Sequence, residues 1–172
     1  MLFRSGRNEQ GYTQRRYDKH HRRNQNGNKQ RQIHRLWVVS DIRHLKQKVD
    51  AGAQHLVSQL FFDNEDFFRF LERCRIAGIN VPIEAGIMPV LSQASIQRMV
   101  SMCGASMPRK LTRILARYGD HPDALREAGI AYAIDQISDL IAGGVDGIHL
   151  YTMNNPDVAR QIAGSISSIR RV

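Results

Sequence analysis

The chain has 172 residues, 42% of them apolar and 24% charged, with a formal net charge of +9. That is the size and composition of one globular domain. It holds no apolar run of about 18 residues, which excludes a transmembrane helix, and its N-terminus has no apolar core behind its charges, which argues against a secretory leader.

The positive charge would point to nucleic acid if it were spread over a folded surface. It is not. Residues 1–36 carry ten Lys/Arg against Glu9 and Asp18, a net of +8, whereas residues 37–172 carry fifteen against fourteen acids, a net of +1. A nearly neutral body argues against a nucleic-acid-binding fold. Residues 1–36 are rich in Arg, Asn, Gln and Gly and show neither a helical nor a strand period. Such a stretch cannot bury enough surface to offset its ordering entropy, so a disordered basic tail is expected. The folded part is expected over 37–172, from the apolar block Leu36-Trp37-Val38-Val39 onward.

From there the pattern alternates. Ser40 or Asp41 caps a helix bearing Ile42, Leu45 and Val49, with Gly52 near its end. His55 to Phe62 reads as a strand. Asp63 or Asn64 caps a second helix with Phe67, Phe68, Leu71 and Cys74 on one side and Gly78 past its end. Val81 to Gly86 is a second strand, with Pro82 near its start, where a missing N–H matters least. Ser92 opens a helix through Ile96, Met99, Val100 and Cys103 that stops at Gly104. A short helix follows Pro108 and ends at Gly119; a long one runs from Pro122 to Gly143-Gly144. Val145 to Tyr151 is a third strand, and Asn155-Pro156 opens a last helix through Val158, Ile162, Ile166 and Ile169. Strands alternating with helices predict right-handed crossovers and a parallel α/β sheet. Three strands are too few to close a barrel, and an open three-stranded parallel sheet leaves edges and a face uncovered. The chain is therefore expected to be part of something larger or an obligate assembler.

In parallel α/β folds the chemistry sits at the C-terminal ends of strands. Gln59 interrupts an apolar strand there, with an amide that both donates and accepts; it suits a heterocycle with amide-like edges, or it bonds neighbouring backbone. Glu84 lies within the second strand, where a carboxylate pairs with a basic residue from another strand. The loop Tyr151-Thr152-Met153-Asn154-Asn155 follows the third. Asp41, His44 and Lys48 share one helical face; Lys48 could hold a phosphate and Asp41 a hydroxyl, or the face is simply solvated. His149 reads as a satisfied core residue, and Phe61, Phe62, Phe67 and Phe68 as core. Cys74 and Cys103 stand singly, with no C-x-x-C spacing, so two buried thiols in a reducing cytosol are expected, and no metal site.

Several blocks in order and spacing resemble the methylenetetrahydrofolate reductases: His44 to Ala53, Ser58 to Asp63, Ala85 to Val90, Ser101 to Ala105, Tyr118 through Ala131, and Ile148 to Asn154. The resemblance spans about residues 41–169. It implies the last three βα units of a (β/α)8 TIM-type barrel, and a flavin-dependent oxidoreductase of one-carbon and methionine metabolism. That enzyme reduces 5,10-methylenetetrahydrofolate to 5-methyltetrahydrofolate with FAD as cofactor and NADH or NADPH as co-substrate. By resemblance, Asp41, His44 and Lys48 fall at FAD contacts, and Gln59 at the contact to folate and nicotinamide. Gln47, Met99 and Asn155 depart from the family, standing near positions that carry a basic residue, an aromatic substrate contact and an arginine in some members.

The family's general-acid glutamate lies on the first barrel strand, and an aspartate near the flavin precedes the region matched by Asp41; no block here carries either. The resemblance thus assigns no catalytic residue within these residues. It implies a C-terminal portion from a truncated or out-of-frame gene that binds FAD weakly or not at all and does not reduce methylenetetrahydrofolate at a normal rate, or an enzyme active when assembled with a separate N-terminal part; a homo-oligomer is the other partner expected. The expected location is the cytoplasm, with no membrane partner. A reading of another class is a non-catalytic binding module whose basic tail contacts nucleic acid or an anionic surface.

Overall fold

The computed structural model describes residues 41–103 and 105–171, without the side chains of Met102, Cys103 and Arg171. The expected basic tail at 1–36, the apolar block at 36–39, Ser40 and Gly104 lie outside the described residues. Those described fall into two compact units divided between Leu45 and Lys46. In the first, residues 41–45 are helical. The second opens with helical residues 46–50 (α1). It continues as β1 (Leu56–Val57), α2 (Asn64–Ile76), β2 (Ile83–Ile87), α3 (Gln93–Cys103), α4 (Arg109–Tyr118), α5 (Pro122–Ala142), β3 (Gly147–Leu150), α6 (Pro156–Ser165) and a 3-10 turn (Ile169–Arg171).

The sheet is parallel in the order β1-β2-β3, with Leu56 opposite Ile83, Glu84 opposite Gly147 and Gly86 opposite His149. This is the predicted α/β alternation. The local signals act as their chemistry requires. The Asp63 carboxylate accepts from Glu65 N–H at 3.1 Å to cap α2, and Asn155 accepts from Val158 N–H at 3.2 Å to cap α6, with Pro156 behind it. Ser92 Oγ accepts from Ser95 N–H at 3.2 Å ahead of α3. The helices that lead into strands leave by one repeated turn. Ala53, Ile79 and Val145 donate their N–H groups to the carbonyls of Lys48, Cys74 and Leu140, five residues back, at 3.0, 2.9 and 3.3 Å. Gly78 and Gly144 take the left-handed conformation that this turn needs, at φ 75° and 76°.

The strand boundaries differ from expectation. The first strand was expected to reach Phe62, but it ends at Val57, beyond which Ser58 N–H still donates to the Glu84 carbonyl at 2.9 Å. At Ser58 a side chain takes over from backbone: Gly86 N–H donates to Ser58 Oγ at 2.9 Å, and the Ser58 carbonyl accepts instead from the Tyr151 hydroxyl at 3.1 Å. Beyond it, the Phe61 carbonyl accepts from Gln136 Nε2 at 3.3 Å and the Phe62 carbonyl from the Tyr132 hydroxyl at 2.6 Å. Polar side chains from β3's end and α5 thus satisfy the backbone that a longer ladder would have used. The second strand begins at Ile83, not Val81; Pro82 contributes only its carbonyl, to Leu56 N–H at 3.0 Å. The third strand runs from Gly147 to Leu150 and excludes Val145, which lies in the turn after α5 with its N–H bonded back to the Leu140 carbonyl. The last helix stops at Ser165, and Ile169, 38% exposed, starts the 3-10 turn rather than extending the buried stripe of Val158 and Ile162.

The core continues past the strand ends. Leu60, Phe62, Met88, Val90, Ile96, Leu111, Leu125 and Tyr132 form one buried cluster, so the segments after β1 and β2 are packed under α3, α4 and α5. Phe62 and Phe67 are buried as expected, Phe67 stacked on Phe61 with centroids 5.0 Å apart. Cys74 is buried and free; the side chain of Cys103 lies outside the description. Burial pushes the Cys74 thiol's pKa up, which makes it a poor nucleophile.

α5 approaches the chain after β2 so closely that a Cβ on Gly129 would lie 1.8 Å from the Val90 carbonyl oxygen. Gly129→Ala is therefore expected to lower stability by about 2–4 kcal/mol, read as a lower midpoint in urea unfolding. Burial, with Asp63 and Asp135 nearby, pushes the Tyr132 hydroxyl up to about 12, above its ordinary value of 10.0. The folded state therefore holds this proton more tightly than the unfolded chain. The stability it contributes is complete below pH 10 and is lost as pH rises from there towards 12. In thermal melts, Tyr132→Phe should remove the part of the alkaline loss that falls in that window, leaving the contribution of other groups.

Candidate functional site

Residues paired across a parallel ladder point to the same side. The sheet face carrying Leu56, Ile83, Ala85, Ile87, Ile148 and Leu150 is therefore distinct from the face carrying Val57, Glu84, Gly86, Gly147 and His149. The first meets α5 and α6: Ile137, Ile141 and Ile162 line a common groove with Ile148 and Leu150. The second is open among the described residues; Val57 is 44% exposed there.

Polar groups span the open face from strand to strand. Glu84 lies between two imidazoles, with His55 Nε2 3.4 Å from one carboxylate oxygen and His149 Nδ1 3.7 Å from the other. The His149 ring meets Tyr151 edge-on at 4.7 Å, and the Tyr151 hydroxyl reaches back to the Ser58 carbonyl. Ser58 Oγ donates to the Gln59 carbonyl at 3.0 Å while accepting from Gly86 N–H. Gly86 makes this crossing possible, since a Cβ there would lie 2.5 Å from the Ser58 oxygen and 2.8 Å from the Tyr151 ring. His149 was expected in the core; its side chain is 43% exposed, because its place in β3 turns it to the open face.

Gln59 stands just beyond β1, exposed, at the end of the sheet where sites of this architecture form. Its Oε1 accepts from Leu60 N–H at 3.2 Å, so the side chain is held against its own backbone, and its Nε2 makes no hydrogen bond among the described residues. Lys48 is exposed in the last turn of α1, and no hydrogen bond or ion pair joins it to Gln59 among the described residues. Asp41 and His44 are exposed and helical and belong to the first unit. Beyond β3, Met153 and Asn154 both adopt left-handed conformations, φ 50° and 64°, and Met153 is 69% exposed. Two adjacent non-glycine residues in that region are a strained arrangement of the kind found at binding loops. Asn155 is spent on capping α6, and Met99 packs against the apolar cluster.

Sequence reasoning missed the grouping of His55, Glu84 and His149. The signal was available in the period of two: His55 with Val57, Glu84 with Gly86, and Gly147 with His149 fall on one side once the strands are put in register. Among the described residues no group of three or more His, Cys, Asp or Glu is placed to hold a metal ion, and no helix is long and apolar enough to cross a membrane.

The Ser58 crossing has a measurable weight. Ser58→Ala leaves the buried Gly86 N–H without its acceptor and should cost about 1–3 kcal/mol in urea unfolding; Tyr151→Phe, which removes one hydrogen bond at a half-buried site, should cost about 1 kcal/mol.

A model of the methylenetetrahydrofolate reductase family matches residues 30–167. The chain is 41% identical over 115 residues to methylenetetrahydrofolate reductase (NADH) 1 of Arabidopsis thaliana, covering 67% of this chain and 19% of that protein. It is 32% identical over 127 residues to 5,10-methylenetetrahydrofolate reductase of Pectobacterium carotovorum, covering 74% and 43%. It is 36% identical over 128 residues to a probable methylenetetrahydrofolate reductase (NADPH) of Caenorhabditis elegans, covering 74% and 19%. The chain thus spans less than half the length of each of these relatives.

Proposed function

The chain belongs to the methylenetetrahydrofolate reductase family, and on that premise we propose that residues 41–171 supply the later βα units of a flavin-dependent reductase. The reaction is reduction of 5,10-methylenetetrahydrofolate to 5-methyltetrahydrofolate, with NADH or NADPH as donor. Relatives bearing each donor's name match this chain. The observation that carries the reading is an exposed Gln59 amide at the C-terminal end of a parallel strand within the matched region.

FAD combines an anionic pyrophosphate with hydroxyl groups and a flat ring, and each residue is weighed against these groups singly. The exposed ammonium of Lys48 suits a phosphate. Asp41 suits a hydroxyl, and His44 is a further flavin contact by resemblance. When bound, the flavin supplies the hydride chemistry. This chain's Gln59 holds the substrates: folate and nicotinamide both present amide-like edges, and both take turns at one flavin face, so one amide that donates and accepts can orient each. To do so, Gln59 must release Leu60 N–H, a bond of 3.2 Å at an exposed site. Glu84 is not the proton donor. It lies at the second position of β2, away from the C-terminal end of the sheet, and two histidines hold it. The general acid comes from a strand outside these units. The free, buried Cys74 is in keeping with a reducing cytoplasm.

The three described strands do not close a barrel, so the reading is tested in a flavin-loaded protein that holds these residues together with the rest of a barrel. There Gln59→Ala should slow both half-reactions, read by stopped flow on the flavin absorbance, by about tenfold, the worth of one hydrogen bond near 1.4 kcal/mol. Unchanged half-reactions in that variant, with flavin still bound, would overturn the role proposed for Gln59.

A further inference from the structure

Gln59 is exposed, yet the backbone that carries it is fixed on both sides. The peptide before it, whose carbonyl belongs to Ser58, accepts from the Tyr151 hydroxyl at 3.1 Å. The peptide after it joins the Gln59 carbonyl to Leu60 N–H, and both ends of that unit are taken. The Gln59 carbonyl accepts from Ser58 Oγ at 3.0 Å, and Leu60 N–H donates to the Oε1 of Gln59 itself at 3.2 Å. Ser58 Oγ is in turn anchored on β2, where the buried Gly86 N–H donates to it at 2.9 Å. β2 comes this near only because residue 86 is glycine: a Cβ there would lie 2.5 Å from the Ser58 carbonyl oxygen and 3.3 Å from that of Gln59. One hydroxyl thus uses its donor and a lone pair to tie the peptide beyond Gln59 to the middle strand.

A peptide unit is planar, so its carbonyl and its N–H turn together. Holding the Gln59 carbonyl therefore sets where Leu60 N–H points, and Leu60 N–H sets where the side-chain amide rests. In that position Oε1 is occupied, while Nε2 makes no hydrogen bond among the described residues. The amide presents its donor and withholds its acceptor. We propose that Ser58 is a positioning residue for Gln59: through the 59–60 peptide its hydroxyl parks the amide on Leu60 N–H and leaves Nε2 to meet a ligand's acceptor. A ligand that offers only an acceptor engages the parked amide as it stands. One that also offers a donor must displace Leu60 N–H from Oε1. The consequence for the reaction rests on the reading of Gln59 as the substrate contact; the parking itself does not.

In the 172-residue chain, hydrogen exchange at Leu60 N–H is followed by NMR. Ile79 N–H, bonded to the Cys74 carbonyl at 2.9 Å, is the reference. Relative to Ile79, Gln59→Ala should speed Leu60 exchange about tenfold and Ser58→Ala nearly as much. Ser58→Thr keeps the hydroxyl and should leave the rate unchanged. Should Ser58→Ala unfold the chain, Ser58→Cys takes its place, since a thiol is a weak donor and a weak acceptor. Protection at Leu60 that survives loss of the hydroxyl, or a rise that Ile79 shares equally, overturns the proposal. In the flavin-loaded protein that holds the rest of a barrel, Ser58→Ala should slow both half-reactions about threefold and add nothing to Gln59→Ala in the double variant. Additive losses would make Ser58 a structural residue only and overturn the proposal as well. If Gln59→Ala leaves both half-reactions unchanged while Leu60 exchange responds as stated, the parking stands and the role of Gln59 in the reaction falls.

Discussion

A parallel sheet must be covered on both faces, because its strands carry apolar side chains and backbone dipoles that water serves poorly. Here α5 and α6 cover one face, over Ile148 and Leu150, and leave the other open among the described residues. Helices gathered on one side and strands left to curl toward each other on the other is the arrangement of a barrel. The small residues of the open face fit the same geometry. Gly86 and Gly147 give up side-chain volume at neighbouring positions of β2 and β3, and each borders a polar group, the Ser58 carbonyl and the Glu84 stem. The open face is narrowed by backbone crossings and wired by hydrogen bonds rather than filled with branched side chains.

That wiring explains why the strand ends were harder to read than the helix ends. A helix terminus is fixed by local chemistry: Asp63 and Asn155 cap through their own side chains, and the turns at Gly78 and Gly144 need only a residue tolerant of left-handed φ. Those boundaries were legible within a residue or two. The end of β1 is set by Ser58, Tyr132, Gln136 and Tyr151, the last 93 positions from Ser58. His55 to Phe62 has strand composition throughout, and nothing local in it announces that distant hydroxyls and an amide will take its carbonyls.

The candidate site divides along the same line. Gln59 was legible because a polar residue broke an apolar run at the place where parallel folds keep their chemistry. Its bond to Leu60 N–H shows that both readings of that amide hold in part: it serves its own backbone with the acceptor and leaves the donor free of a partner among the described residues. The roles of Asp41, His44 and Lys48 rest on resemblance, because an exposed helical face bears no mark that separates a phosphate contact from a solvated surface. His149 was misread for want of register: a lone imidazole in an apolar strand looks buried until Gly86 opposite it turns out to face an open side.

The position of Glu84 then separates two tasks that a barrel assigns to its two ends. Residues at the C-terminal ends of strands act on ligands, and residues toward the N-terminal ends hold the barrel together. Glu84 sits on the second kind of ground, opposite Gly147 at the start of β3, whereas Gln59, Tyr151 and the strained pair Met153-Asn154 stand on the first. A carboxylate between two histidines in a half-exposed layer is poorly placed to move a proton at the mouth. What it needs instead is a polar surround, because a carboxylate taken out of water without donors or a cation is costly; His55, His149 and solvent supply that surround on the open face.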